Sequence, residues 1–385
     1  MGTPRKLNPP FRADHVGSFL RPDRLKEART RAGFELDSTP RKEGGGTLPL
    51  EELRKVEDEC IREVVAFQEE IGLQSITDGE FRRGSWAYDA ASRIEGVEMR
   101  AQEAAYDATF ANTGFRPPLA HTTGRLARRP GGIVLGEFEF TRGLTDRTVK
   151  ITMPSPSILY VRGGRDTVSR EAYPDIEEFF EDLSRVYREE IADLAAAGCR
   201  YVQIDNTDAA LICDPKFQEL ARHKGMEPKE QLRLQARLVS GATKDRPGSV
   251  TVSMHMCRGN SAGAWLAEGP YDFIAEVLFS EFDVDAYFME YDSPRAGDFR
   301  PLRFAPRDKI VVLGLVTTKT PENDPRDVLL RRIEEASQFV PVENLALSPQ
   351  CGFASAARGN PVSFDDQRRK MELVLSVADE VWGSA

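Results

Sequence analysis

Four residues in the second half of the chain carry side chains that bind metal ions: His255, Cys257, Glu290 and Cys351. In a β-strand, residues i and i+2 project to the same side, so a strand through this segment presents the His255 imidazole and the Cys257 thiol together. One nitrogen, two sulfurs and one carboxylate oxygen make a donor set that Zn²⁺ accepts in tetrahedral sites. The sequence therefore predicts a zinc site, against the alternative that the cysteines are inert buried side chains.

A zinc ion with two thiolate ligands is either a structural clamp or an activator of sulfur. Zinc lowers the pKa of a thiol that binds to it, and the resulting thiolate is a nucleophile. This chemistry requires an open coordination position, and Glu290 is the ligand that we expect to give way. The donor set thus predicts the transfer of an alkyl group to sulfur.

Polar residues follow nearly every apolar, β-branched run that has the length of a strand. In an α/β barrel, such residues collect at the C-terminal ends of the parallel strands, where barrel enzymes have their active sites. Packing does not explain so many polar groups in one layer, so we expect them to line a functional site. Besides the four predicted metal ligands, they are Ser18, Asp78, Glu80, Ser155, Ser157, Asp205, Asn206, Asp208, Thr317, Thr318 and Lys319.

The elements that must position these residues alternate between strand and helix. Apolar runs predict eight strands, at residues 15–19, 76–80, 149–154, 201–205, 250–257, 286–291, 309–316 and 345–348. Amphipathic segments predict helices between most of them, at residues 50–72, 176–197, 229–243, 271–282, 325–339 and 364–381. This alternation predicts an α/β fold, a (β/α)8 TIM barrel with a parallel inner sheet.

Two segments interrupt the regular spacing of the barrel. Residues 30–49 are charged and include three consecutive glycines, which is typical of a loop. Residues 90–148 are too long for one barrel helix, and the alternation in residues 132–141 suggests a hairpin over one barrel face. We therefore expect residues 1–385 to form a single decorated barrel with an inserted excursion between strands 2 and 3.

The composition excludes several classes of protein. The chain has 385 residues, 40% of them apolar and 30% charged, with a net charge of −10, which argues against disorder and against nucleic-acid binding. No apolar run is long enough to span a membrane, and residues 1–10 do not resemble a signal peptide. Five cysteines are few for this length and predict a reducing cytoplasm. Of these, Cys60 and Cys199 are expected in the core and Cys213 in a loop.

Six short motifs, in order along the chain, resemble the cobalamin-independent methionine synthase family, specifically its catalytic C-terminal barrel standing alone. The resemblance covers residues 11–382 approximately and is carried by residues 15–19 (HVGSF), 78–81 (DGEF), 203–205 (QID), 255–257 (HMC), 289–291 (MEY) and 348–353 (SPQCGF). It implies a zinc-dependent methyltransferase that makes methionine from homocysteine. It implies as zinc ligands His255, Cys257, Glu290 and Cys351, and as homocysteine-binding residues Ser18, Glu80 and Asp205.

The residue types agree with a homocysteine site, although each has a simpler explanation. A zwitterionic amino acid needs carboxylates for its ammonium, which Glu80 and Asp205 supply, and donors for its carboxylate, which Ser18 and nearby backbone N–H groups supply. The simpler explanation for Glu80 is an ion pair with Arg82 or Arg83. For Asp205 it is a loop cap, and for Ser18 it is a place in a common Gly-Ser turn.

The sequence departs from the family at two positions that concern the methyl donor. The family has a histidine acid after the seventh strand, where this chain has Thr317-Thr318-Lys319-Thr320. We therefore take His15 as the hypothetical proton donor. The family also has a tryptophan after the third strand on which folate stacks. Residues 154–160 here contain only Tyr160 as an aromatic residue, so the donor is methyltetrahydrofolate or another methyl carrier such as a corrinoid protein.

Arg258, directly after Cys257, marks the short single-barrel relatives, and it either binds an anionic substrate or pairs with an acidic neighbour such as Asp292. Three functions remain open at this point. The first is methyl transfer to homocysteine. The second is alkylation of another small thiol, as in epoxyalkane:coenzyme M transferases, where Arg258 would meet a sulfonate. The third is a barrel that binds zinc or a thiol without catalysis.

Overall fold

The computed structural model describes residues 9–34, 36, 41, 44–100 and 118–383. Its centre is a sheet of seven parallel strands that curls around a common axis. In spatial order, which is also chain order, these strands are β1 (Ser75–Ile76), β4 (Thr148–Pro154), β5 (Tyr201–Asp205), β6 (Thr251–Met256), β7 (Ala286–Glu290), β8 (Ile310–Val316) and β9 (Leu345–Pro349). Every strand of this sheet pairs in parallel with its neighbour. The predicted α/β barrel is confirmed, and β5 to β9 begin and end within a residue or two of their predicted bounds.

The eighth position of the barrel is filled by an extended segment, residues 12–19, in place of the predicted first strand. Ala13 makes a single parallel bridge to Leu347, and the Asp14 N–H donates to the Leu347 carbonyl at 2.9 Å. On the other side, the Thr77 hydroxyl donates to the Gly17 carbonyl at 2.6 Å. A few separate hydrogen bonds, including that from the Phe19 N–H to the Gly79 carbonyl at 3.3 Å, thus replace a continuous ladder, because Gly17 has a φ of +127° that a regular strand does not allow.

The second predicted strand, 76–80, is also shorter than expected. Only Ser75–Ile76 are paired as strand, since Gly79 and Glu80 turn the chain with φ values of +67° and +61°. A left-handed conformation at a residue with a large side chain is uncommon and strained. It places the Glu80 side chain where an extended strand would not.

Eleven α-helices are present in the described part of the chain, and the long ones pack around the sheet. They are α1 (Asp23–Arg31), α2 (Leu50–Glu70), α3 (Tyr88–Ser92), α4 (Leu135–Arg142), α5 (Ile176–Ala196), α6 (Thr207–Leu211), α7 (Pro215–His223), α8 (Pro228–Thr243), α9 (Ala275–Glu281), α10 (Arg326–Ser337) and α11 (Phe364–Trp382). The final helix, α11, has a capping box in which Ser363 and Asp366 each accept from the other's backbone N–H. None of the helices that the structure describes is long and apolar enough to cross a membrane.

The predicted excursion between strands 2 and 3 contains a hairpin, but not where the sequence placed it. The antiparallel pair is β2 (Ile94–Arg100) and β3 (Leu119–Arg128), and the stretch expected to be a hairpin, 132–141, lies mostly in helix α4. Alternation over so few residues did not distinguish strand from helix. Residues 101–117 of the excursion lie outside the described residues.

Strands β5 to β9 are buried on both faces, with helices outside and side chains filling the barrel within. The barrel interior includes a charged network as well as apolar side chains. Lys150 donates to Asp14 at 2.7 Å, and Asp14 also accepts from Tyr201 and Ser75. Such pairs are tolerated in a core only when their remaining hydrogen bonds are satisfied. Gln203 connects this network to Asp205 at the end of β5, since it accepts from Lys150 and donates to Asp205.

Candidate active site and metal centre

A cavity of about 700 Å³, measured with its open mouth, lies at the C-terminal ends of the barrel strands. It is lined by residues from the extended segment, from the turns after β1, β5, β6 and β9, and from the segment before α3. Of the predicted site residues it contains Ser18, Glu80, Asp205, His255, Cys257 and Cys351. Six of the predicted site residues therefore share one cavity at this end of the barrel.

Three of the four predicted metal ligands meet in this cavity. The candidate ligand atoms of His255, Cys257 and Cys351 all lie within 4.8 Å of one another, and all three residues are buried. The two sulfurs are 3.7 Å apart. Tetrahedral zinc with Zn–S bonds of about 2.3 Å requires a sulfur separation of about 3.8 Å. The sulfur pair therefore already has the spacing that a bound zinc ion would require.

The orientation of His255 points to the same conclusion. Its Nδ1 lies 3.1 Å from Oδ1 of Asp205, while its Nε2 is buried with no hydrogen-bond partner among the described residues. A carboxylate on one ring nitrogen fixes the tautomer and leaves the other nitrogen free to bind a metal. Because a buried, unpartnered nitrogen is costly, the residues present fit a zinc ion.

Glu290, the fourth predicted ligand, is not part of this cluster. Its Oε2 accepts a hydrogen bond of 2.7 Å from the backbone N–H of Arg258, and the Arg295 guanidinium lies 3.6 Å from its Oε1. Oε1 is buried without a hydrogen bond among the residues described. The carboxylate lies at the end of strand β7, which neighbours β6, but its contacts are with Arg258 and Arg295 and not with the cluster. Its role as a ligand stays a prediction.

The groups of the cluster shift one another's pKa values. The hydrogen bond from Cys257 lowers the pKa of Cys351 well below that of a free thiol, and the same contact, with burial, raises that of Cys257. Burial lowers the pKa of His255, but the hydrogen bond to Asp205 and the charge of Cys351 outweigh it and raise this pKa to about 10. Metal binding must therefore release protons from the imidazole and from a thiol.

Glu80 lines the same cavity as the cluster, and one of its carboxylate oxygens accepts no hydrogen bond from the described residues. Its Oε1 accepts a 2.7 Å hydrogen bond from Thr152, and its Oε2 is buried without a hydrogen-bond partner among the residues described. Burial raises its pKa to about 7, with the charge of Asp205 adding to the shift and that of Arg83 opposing it. The alternative role in an ion pair is weak, since Arg83 lies 3.7 Å away and bonds to Glu137 at 2.6 Å.

Asp205 and Ser18 both face the cavity. Oδ1 of Asp205 accepts from Gln203 at 2.8 Å as well as contacting His255, so Asp205 links the cluster to the buried network below and does not cap a loop. Ser18 lies against Gly352, where a Cβ would come within 1.9 Å of the serine Oγ. Glycine at 352 is thus required for the close approach of the first and last parts of the barrel.

His15 lies outside the cavity, which corrects the hypothesis that it is the proton donor. Its Nε2–H donates to the Ser75 carbonyl at 3.0 Å, and its ring packs on Phe19 with centroids 5.1 Å apart. Burial and the charge of Lys150 lower its pKa to about 4, so the imidazole is neutral near pH 7. It has neither the position nor the proton that an acid requires.

The substitution His15→Asn is therefore expected to leave kcat within about threefold of the wild-type value. The loss of one buried hydrogen bond should lower the free energy of unfolding by about 1 kcal/mol. Steady-state kinetics and a denaturant melt of the same preparation measure both quantities. A fall in kcat of about 10²-fold with unchanged stability would restore His15 as the acid.

Arg258 is buried and does not line the cavity. Its Nε donates to the Gly269 carbonyl at 3.0 Å, and its guanidinium lies 4.3 Å from the centre of the Tyr271 ring. It does not pair with Asp292, which instead lies 3.4 Å from Arg295. Because Cys257 faces the cavity, the next residue along the strand direction must face away.

Several cavity residues were not predicted. Trp86 and Tyr88, called the aromatic wall below, both line the cavity. Tyr160, which the sequence offered for stacking, is instead buried against Phe179 and Phe180. Trp86 is fixed by a 2.9 Å hydrogen bond from its N–H to the Ser355 carbonyl. No periodicity marks these residues, because Trp86 lies in a turn and Tyr88 begins the five-residue helix α3. The other unpredicted residues of the lining include Ser85, Arg162, Thr207, Asn260, Ser261, Leu266 and Ser355.

Comparisons with known proteins agree with this geometry. The family described as "Cobalamin-independent synthase, Catalytic domain" matches residues 16–366. The chain is 38% identical to the uncharacterized protein YxjH of Bacillus subtilis (strain 168) over 384 residues, which cover 99% of this chain and 97% of YxjH. It is 24% identical to the 5-methyltetrahydropteroyltriglutamate–homocysteine methyltransferase of Thermotoga petrophila, with 89% of this chain matching 41% of that protein. The solved structure of a candidate vitamin-B12 independent methionine synthase from Listeria monocytogenes superimposes with a TM-score of 0.73 at 33% identity, covering 97% of this chain and 99% of that one.

Proposed function

This chain belongs to the cobalamin-independent synthase catalytic-domain family, and from that premise we propose that it transfers a methyl group to the thiol of homocysteine with a bound zinc ion. One observation carries the proposal. A three-residue metal cluster with the sulfur spacing of a zinc site shares a cavity with two carboxylates that suit an amino-acid ammonium. Metal chemistry at the sulfur and recognition of an amino acid are therefore possible within one cavity.

His255, Cys257 and Cys351 would hold the zinc, which supplies a lowered thiol pKa when bound. Asp205 holds the imidazole of His255 in the tautomer that leaves Nε2 free. Glu290 remains the proposed fourth ligand. Its Oε2 accepts from the Arg258 N–H, and its Oε1, which accepts no hydrogen bond among the described residues, would have to leave its ion pair with Arg295 at 3.6 Å.

Glu80 and Asp205 would receive the ammonium of homocysteine, and Ser18 its carboxylate. The unpartnered Oε2 of Glu80 supports this assignment, because a buried carboxylate oxygen without a donor is satisfied when a substrate ammonium binds. Ser18 supplies a hydroxyl donor on the same cavity wall. All three residues are buried, and the low dielectric of a buried site strengthens such interactions.

The methyl donor would enter through the mouth of the cavity past Trp86 and Tyr88. A flat aromatic wall suits the ring system of a methylfolate by stacking. A corrinoid methyl carrier is the other donor class to be tested. All the cysteines are free, as expected for a chain that works in a reducing compartment such as the cytoplasm.

The position of Arg258 does not support the alternative function, alkylation of coenzyme M. That reading needed Arg258 to receive a sulfonate, and Arg258 is fully buried on the Gly269 carbonyl. Two carboxylates in the cavity also disfavour a substrate that is anionic and lacks an ammonium. A barrel that only stores zinc is disfavoured because the unpartnered oxygen of Glu80 has no purpose in it.

The test of the proposal begins with metal analysis of protein that has never met a chelator. We expect about one zinc per chain, and less than about half would contradict the metal site. Zinc-loaded protein is then incubated with homocysteine and either methyltetrahydrofolate, its triglutamate form or methylcobalamin, and methionine is quantified by mass spectrometry. Methionine formed with one donor identifies that donor. No methionine with any of them, at full zinc occupancy, would overturn the proposal.

A further inference from the structure

The inserted excursion, predicted at residues 90–148, contributes a buried carboxylate that binds two arginines. This carboxylate belongs to Glu137 in helix α4, which is 3% exposed and does not line the cavity. Its Oε2 accepts hydrogen bonds from Nε and Nη2 of Arg83 at 3.0 and 2.6 Å. Its Oε1 accepts from Nη1 of Arg93 at 2.7 Å. Both oxygens are therefore occupied by the guanidinium groups, and we call these three residues the Glu137 triad.

The Arg83 guanidinium is buried three residues from Glu80, yet it makes no hydrogen bond to the Glu80 carboxylate. Within the described part of the chain, two carboxylates lie within 4.0 Å of this guanidinium, that of Glu137 at 2.6 Å and that of Glu80 at 3.7 Å. The guanidinium also donates to the hydroxyl and the carbonyl of Thr152, at 3.1 and 2.8 Å. Arg83 thus directs its hydrogen bonds to Glu137 and Thr152, although Glu80 is its second carboxylate neighbour.

This arrangement leaves the Glu80 carboxylate without a hydrogen-bonded cation. Its Oε1 accepts from the Thr152 hydroxyl at 2.7 Å, and its Oε2 accepts nothing from the described residues. A direct hydrogen bond between a guanidinium and a carboxylate has a length of about 2.8 Å, so a shift of about 1 Å would join Arg83 to Glu80. A guanidinium in that place would compete with a substrate ammonium for the same carboxylate.

The proposed function assigns Glu80 to the substrate ammonium. Resting on that assignment, we propose that Glu137 is a positioning residue, which holds the Arg83 guanidinium away from Glu80 and so keeps this carboxylate available to an amino-acid substrate. The excursion thereby acts on substrate binding, although none of its described residues lines the cavity. An ion pair that served stability alone would have no such effect on affinity.

The test measures the Kd of methionine on the zinc-loaded full-length chain by titration calorimetry. In Glu137→Gln, Arg83 loses the nearer of its two carboxylates and turns to Glu80. We therefore expect the Kd of methionine to rise about 10-fold or more, because a charge-assisted contact to the ammonium is weakened in a buried site. Zinc content should remain at the wild-type value, since the triad contains none of the cluster residues.

Two matched double variants separate this effect from the general loss of one negative charge. Each combines Glu137→Gln with the removal of one arginine of the triad, so both keep the net charge of the wild type. Glu137→Gln with Arg83→Met removes the competing guanidinium and should return the methionine Kd to within about threefold of wild type. Glu137→Gln with Arg93→Met leaves Arg83 without Glu137, and its Kd should stay about 10-fold above wild type.

Equal Kd values for the two double variants, or an unchanged Kd in Glu137→Gln, would overturn the inference and leave the proposed function standing. If Glu137→Gln alone does not fold, the comparison of the two double variants is a sufficient test, because their buried charges remain balanced. Wild-type protein that holds zinc but binds neither homocysteine nor methionine would overturn the proposed function, and the inference with it.

Discussion

Cys257→Ser is expected to abolish both zinc binding and thiol methylation. A serine hydroxyl at this position is a poor zinc donor, and the variant leaves only His255 and Cys351 of the cluster. We expect zinc occupancy below about one tenth and kcat/KM at least about 10³-fold lower, because an unactivated thiol is mostly protonated at neutral pH. Atomic emission measures the metal, and methionine formation measures the activity.

The matched control for this variant is Cys60→Ser. Cys60 is equally buried, but it lies in α2 beside Arg24, far along the chain from the cluster. It should keep full zinc occupancy and activity, with only a loss of stability. Turnover retained by Cys257→Ser with zinc absent would reject zinc activation of the thiol.

Glu80→Gln is expected to weaken amino-acid binding by about 10²-fold, because a charge-assisted hydrogen bond to the ammonium becomes a neutral one in a buried site. Methionine is the best ligand for this measurement, since it has no thiol to ionise. Its Kd on zinc-loaded protein is measured by calorimetry for the wild type and the variant.

The pH dependence provides an independent check on Glu80. Its pKa is raised to about 7, so the carboxyl is neutral below that pH and charged above it. Only the charged form balances an ammonium, and methionine should therefore bind more tightly as the pH rises through about 7 in the wild type. In Glu80→Gln this rise should be absent.

Asp58→Asn is the control for Glu80, because Asp58 pairs with the neighbouring Arg82 at 2.5 Å without lining the cavity. It should retain the wild-type affinity and its pH dependence. Identical methionine Kd values for Glu80→Gln and wild type across this pH range would remove Glu80 from the amino-acid site.

The barrel could be predicted from sequence because parallel buried strands are continuous apolar runs. Strand β8 is such a run and β7 is apolar up to Glu290, whereas β5, β6 and β9 mix apolar with polar residues. The N-terminal segment could not be placed as accurately. Its pairing depends on one bridge at Ala13 and on side-chain hydrogen bonds such as that from Thr77 to Gly17, which leave no periodic pattern.

Three predicted site residues do not line the cavity: His15, Arg258 and Glu290. The placement of the first two has one shared cause. Position near a strand end shows which end of the barrel a residue occupies, but not which way its side chain points. Val16 and Ser18 line the cavity, as does Cys257, and alternation along an extended chain then directs His15 and Arg258 elsewhere. Applying that alternation to the motifs would have excluded both. The aromatic wall at Trp86 lies in a turn and offered no comparable signal.

The contact between Ser18 and Gly352 joins residues that are separated by almost the whole chain. The Asp14–Leu347 hydrogen bond closes the barrel at the same place. Contacts of such sequence separation form late, because the entropy of a very long loop must be lost before they can contribute. During synthesis, an emerging chain can pair β4 with β5 and β6 well before Cys351 has been made. We therefore expect the residues proposed to bind the amino acid and the metal to come together only late in folding.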